Sequence, residues 1–115
     1  MAPKKNPLGL NPLQLKTLAL LQALARLPEH ARAQDEGVLV ANMPPPHGDH
    51  FHLGSAVVAT RDASGLFNQA AWIALERKGL INSHFPDSAL LTAAGQGYET
   101  GLGDAILYHA DHGAH

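Results

Sequence analysis

Leucines crowd one early stretch of the chain. Leu13, Leu15, Leu18, Leu20, Leu21, Leu24 and Leu27 are interrupted by Gln14, Lys16, Thr17, Gln22 and Arg26. Asn11-Pro12 in front supplies a side-chain cap and a first-turn residue with no N–H to leave unpaired, and Pro28 restrains the residue before it from helical geometry. The pattern predicts a helix over 11–27 that is apolar on nearly all sides. Such a helix must be covered on nearly all sides, which predicts a second subunit. Residues 29–36 are polar and read as a short helix or a loop closed by Gly37, followed by a short strand over 38–41 in Val-Leu-Val-Ala. Pro44, Pro45 and Pro46 enforce an extended segment that leads into His47-Gly-Asp-His-Phe-His52.

Further along, Ser55 can cap a helix through Val57, Val58 and Ala59 that ends near 61–62. Ser64 can cap a second one running to Lys78, where Gly79 supplies the left-handed stop. Two short helices joined by a tight turn predict a helix-turn-helix. Trp72 and Leu75, with Ala71 and Leu80, form the inward stripe, and Trp72 is read as a core anchor. Residues 80–84 and 89–92 flank Phe85-Pro-Asp-Ser88, which suits a hairpin. A helical region at 93–98 and a further helical piece at 104–109 complete the reading.

A chain of 115 residues fits one domain, 11–115, behind a flexible arm at 1–10, with a proline- and histidine-rich insertion at 37–53 and a C-terminal tail at 93–115. The absence of cysteine excludes disulfides and thiolate sites. No apolar run reaches the ~20 residues of a membrane span, and no apolar segment adjoins the charged start, so a cytoplasmic protein is expected. Net charge is -2, without the cationic excess typical of a strongly basic nucleic-acid binder. All eight Lys and Arg lie at or before Lys78, while Asp87, Glu99, Asp104 and Asp111 follow it uncompensated. Phosphate contacts are therefore confined to the first two-thirds. The motifs of nucleophilic, paired-carboxylate or phosphate-cradling chemistry do not occur, so the chain is not expected to be an enzyme.

Eight histidines are the anomaly in this composition. His47, His50 and His52 form one cluster beside Asp49, and His109, His112 and His115 form another beside Asp111. In an extended segment His50 and His52 point to the same side. Neutral imidazole suits Zn, Ni or Cu, which makes His47, His50, His52, His109 and His112 candidate ligands for a transition metal such as Zn or Ni. Neither spacing is that of a zinc signature, and the alternative is that these histidines decorate a loop and a tail.

Ala71-Trp-Ile-Ala-Leu-Glu-Arg-Lys-Gly-Leu-Ile81 resembles the end of the recognition helix and the entry to the wing in winged helix-turn-helix regulators of the bacterial multiple-antibiotic-resistance type. Leu91-Thr-Ala-Ala-Gly-Gln-Gly-Tyr98 resembles their exit from the wing. The resemblance covers 55–98, with 11–27 as the leading helix. It implies an α+β, mostly helical winged-helix fold and a homodimeric, DNA-binding transcriptional regulator. Lys4, Lys5, Arg61, Arg77 and Lys78 would then be phosphate contacts, and Asn68 and Gln69 the base readers.

The residues on the implied reading face also support a different role. Leu66, Phe67, Ala70, Ile73 and Ala74 stand there with Gln69 and Arg77, and the wing tip carries no Arg or Lys. An exposed stripe of Leu66, Phe67 and Ile73 would mark an interface. On this alternative the chain is an interaction module that does not bind DNA, with Leu15, Leu18 and Leu21 of the leading helix also available to a second subunit.

Overall fold

The structure, a computed structural model, describes residues 6–43, 50–53, 56–102 and 108–109. The leading helix, α1, spans Pro12–Leu24. Asn11 caps it as expected: its side chain accepts from the Gln14 N–H at 2.8 Å, and the Gln14 side chain accepts from the Asn11 N–H at 3.0 Å. Thr17, Leu18, Ala19, Leu20 and Leu21 are consecutive and all buried, so this helix is enclosed on nearly every side. The enclosure comes from its own chain. Its leucines share one core with Val40, Leu66, Trp72, Leu75, Leu80, Ile81 and Leu91.

Two antiparallel sheets accompany the helices. The larger has the order β1-β2-β6-β5, built from Ala31–Gln34, Gly37–Ala41, Ser88–Thr92 and Ile81–His84 respectively. The smaller has the order β3-β4-β7, from His50–Leu53, Ala56–Ala59 and Tyr108–His109. Strand alternation gives the larger sheet two unlike faces. Val40, Ala89, Leu91 and Ile81 are buried against the helices, while Arg32, Leu39, Leu90 and Asn82 form a row on the outer face.

Between the sheets lie two 3₁₀ turns, Thr60–Asp62 and Ser64–Phe67, and then α2, Gln69–Arg77. Gly65 sits where a Cβ would overlap the Thr17 hydroxyl, so the second turn packs directly on α1. The Gly65 carbonyl accepts from Trp72 Nε1 at 3.0 Å, and the Trp72 ring meets Phe85 edge-on with centroids 5.0 Å apart. Trp72 and Leu75 are fully buried, as their inward stripe predicts. Gly79, at φ +77°, follows the end of α2, and the 81–92 hairpin forms about the expected turn. A short helix, α3, Ala93–Gly97, follows.

Several expectations are corrected. Residues 56–59 are a strand, not the first helix of a helix-turn-helix, and 60–67 hold only 3₁₀ turns. Two adjacent β-branched valines at 57 and 58 suit a pleated, half-buried strand better than a helix. Residues 31–34 form β1 rather than a helix or loop, because Ala-Arg-Ala-Gln alternates small and polar side chains and Asp35-Glu36 turns the chain back. Of the helical piece expected at 104–109, residues 104–107 lie outside the described residues, and Tyr108 and His109 are a strand paired with β4. α1 ends at Leu24, three residues early, and α2 is capped by Asn68 rather than Ser64. The fold is α+β but not mostly helical: seven strands accompany three α-helices among the described residues.

Residues 6–10, expected as part of an arm, are docked. Tyr98 Oη donates to Asn6 Oδ1 at 2.7 Å and accepts from the Leu8 N–H at 3.0 Å, and Leu10 is buried. No helix among the described residues is long and apolar enough to cross a membrane.

Candidate functional site

Helix α2 presents the feature that bears most directly on function. Burying Ala71, Trp72 and Leu75 turns the opposite side outward, so Gln69, Ala70, Ile73, Glu76 and Arg77 are exposed. Phe67, just ahead of the Asn68 cap, is 49% exposed and Ile73 is 39% exposed. Together with Ala70 they make an apolar strip along the outer face.

The polar candidates for base reading fare differently. Asn68 is the cap of α2: its Oδ1 accepts from Ala70 N–H at 2.9 Å and from Ala71 N–H at 3.4 Å. This group finishes the helix and is not held out toward a ligand. Gln69 is exposed at the first turn, and Arg77 and Lys78 are exposed at the far end. Glu76 accepts from the Ser83 N–H at 3.2 Å and brings a carboxylate to the junction of α2 and β5. Arg61 is exposed on the first 3₁₀ turn, whose Asp62 pairs with Lys16 at 2.9 Å.

The interface candidates divide as sharply. Leu18 and Leu21 have no exposed surface and Leu66 has 1%, so these three belong to the core and offer nothing to a partner. Leu66 turns inward because the 3₁₀ turn, tighter than an α-helix, lays it against α1. Leu15 is half-buried and packs on the core. Lys4, Lys5, His47 and His112 lie outside the described residues, and His109 is described only as a backbone position paired with Ala56.

Charge over the described residues is close to balance, with Lys16, Arg26, Arg32, Arg61, Arg77 and Lys78 set against Glu29, Asp35, Glu36, Asp62, Glu76, Asp87 and Glu99. A shallow groove on the outer face of the larger sheet, lined by Leu39, Leu90, His84 and the Asp35-Glu36 turn, is acidic at one end. It does not suit a phosphate.

The small sheet carries the second notable constellation. His50 and His52 lie on one face of β3, opposite Ala59 and Val57 of β4, while Val58 between them is buried on the other face. The two Nε2 atoms are 3.2 Å apart and the rings stand nearly perpendicular, at 83°. Among the described residues no third His, Cys, Asp or Glu joins them in a group able to hold a metal ion. Alternating polar and apolar residues in His-Phe-His-Leu are the sequence signal for this strand.

Compared with models of protein families, with curated proteins and with solved structures, the chain matches none.

Proposed function

We propose that the chain is a winged-helix-type module that works by protein association through the outer face of α2, and that its partner is a second copy of the chain. The order β2-β6-β5, with α1 ahead of the first strand and α2 feeding the hairpin, supports the winged-helix reading. In place of that fold's second helix, this chain uses the β3–β4 hairpin and the 3₁₀ turns.

The observation that carries the association reading is the exposed strip of Phe67, Ala70 and Ile73. Base edges in a DNA groove are read by hydrogen-bond donors and acceptors, and phosphates by cations. An apolar strip supplies neither, whereas burial against another apolar strip removes it from water. A second copy fits because Ala70 is midway between Phe67 and Ile73. About a two-fold axis through it, antiparallel strips set Phe67 opposite Ile73, so the apolar side chains cover one another and no like charges face. The strip is small, well below the ~1,200 Å² of a stable interface, so the dimer is concentration-dependent.

Sequence-specific DNA binding is the second reading, favoured by the exposed Arg61, Arg77 and Lys78. Sedimentation of the wild type and Ile73→Asp, each with and without duplex DNA at low salt, separates the two. Association predicts a dimer that grows with concentration, is absent in Ile73→Asp, and gains nothing from DNA. A chain that stays monomeric at every concentration and shifts with duplex overturns it.

A further inference from the structure

We propose that His50 and His52 on β3 form a binding site for a divalent transition-metal ion of the Zn, Ni or Cu class. The inference is independent of the role given to α2. It begins with the strand. A period of two puts residues 50 and 52 on one face, and pairing with the small side chains of Ala59 and Val57 leaves room above that face for two rings. Val58, fully buried, fixes which face is outward, because a one-residue slip would turn the valine out and the histidines in.

The rings then meet through their far nitrogens, with Nε2 to Nε2 at 3.2 Å. Two arrangements give that separation. One is an N–H···N hydrogen bond, in which one ring carries its proton on Nε2 and the other on Nδ1. The other is a pair of lone pairs converging on an ion. For bonds of 2.0–2.1 Å in a tetrahedral shell, neighbouring nitrogens stand about 3.3 Å apart, so the observed spacing is that of two adjacent ligands. The perpendicular rings keep the two imidazoles from stacking.

Moving one ring's proton from Nε2 to Nδ1 turns the first arrangement into the second, so an ion can take the place of the shared proton without moving either ring. His52 is exposed and His50 half-buried, so an ion reaches the pair directly from solvent. Imidazole nitrogen selects Zn, Ni or Cu over Mg or Ca, which prefer oxygen. The described residues supply two ligands, and further donors such as water would complete the shell of the ion.

The test uses full-length protein purified without a histidine tag. Titrated Cu²⁺ or Ni²⁺ should broaden the amide resonances of His50, His52, Val57 and Ala59 first. Broadening centred on another segment, or none at all, overturns the proposal. Calorimetric titration with Zn²⁺ should show binding weakened at least about tenfold in His50→Ala and in His52→Ala, since even outer-shell changes act on that scale. His84→Ala, on β5, should bind as the wild type does. Wild-type affinity in the folded double variant His50→Ala/His52→Ala would equally refute the site. The broadening experiment needs no variant, so it decides the matter even if a substituted chain fails to fold.

Discussion

The two sheets of this molecule are built on opposite terms. The four-stranded sheet is backed by α1 and α2, and its inner face, Val40, Ala89, Leu91 and Ile81, merges with Leu18, Leu21 and Trp72 in one core. The three-stranded sheet joins that core through Val58, and the turn that leaves it is tied to α1 by Lys16 and Asp62. Its outer face carries His50 and His52. One sheet holds the fold together by burial. Among the described side chains, the other reaches that core through Val58, with an ion pair close by, and its outer face carries the proposed metal site.

If that contrast is sound, the largest loss should follow substitution in the helix-backed unit. Trp72→Ala removes the ring packed on Phe85 and the hydrogen bond to Gly65. It should cost about 3–5 kcal/mol in urea-induced unfolding. Gly65→Val should cost about 1–3 kcal/mol by the same measurement, because its side chain must displace Thr17 from the contact between the turn and α1. Val58→Ala addresses the other side of the comparison. Losing about two buried CH₂ equivalents is worth about 1.6 kcal/mol. Hydrogen exchange should locate the change in β3 and β4 and leave β2 and β6 protected. Faster exchange spread evenly over both sheets would erase the distinction between them.

Smaller effects sharpen it further. Asn68→Ala should cost about 1 kcal/mol through the lost cap of α2, with no change in DNA retention, whereas a base reader would show the reverse. Lys16→Ala should cost at most about 1 kcal/mol, since the lysine is 34% exposed and its pair with Asp62 is screened by solvent.

The same division governs what could be read from the sequence. Asn11-Pro12, the stripe of Trp72 and Leu75, Gly79 and the 81–92 hairpin are local signals that agree with the final packing, and all four are realised. The alternation in 31–34 is equally local but runs over only four residues and is masked by the polar composition of 29–36, whereas 50–53 takes the extended form expected of it. Ala-Val-Val-Ala at 56–59 has no decisive period, and its state is set by pairing with β3 and β7.

The leucine-rich helix teaches the complementary lesson. Its composition correctly demands cover on nearly all sides, but pattern alone does not say whose residues provide it. Here the sheet, α2 and the Gly65 turn do so within one chain, which removes Leu18 and Leu21 from any interface. The exposed strip on α2 was legible as Phe67 and Ile73. Leu66 was misassigned to it because the tighter 3₁₀ turn changes which side chain points inward.

The central claim, that the outer face of α2 is where this chain meets another copy of itself, is tested most directly by following backbone amide chemical shifts through a dilution series of the wild-type protein. The account predicts concentration-dependent shifts gathered at Phe67, Ala70, Ile73 and Ala74, with the outer face of the larger sheet unmoved. Shifts that stay constant on dilution, or that gather on β1 and β2 instead, would contradict it.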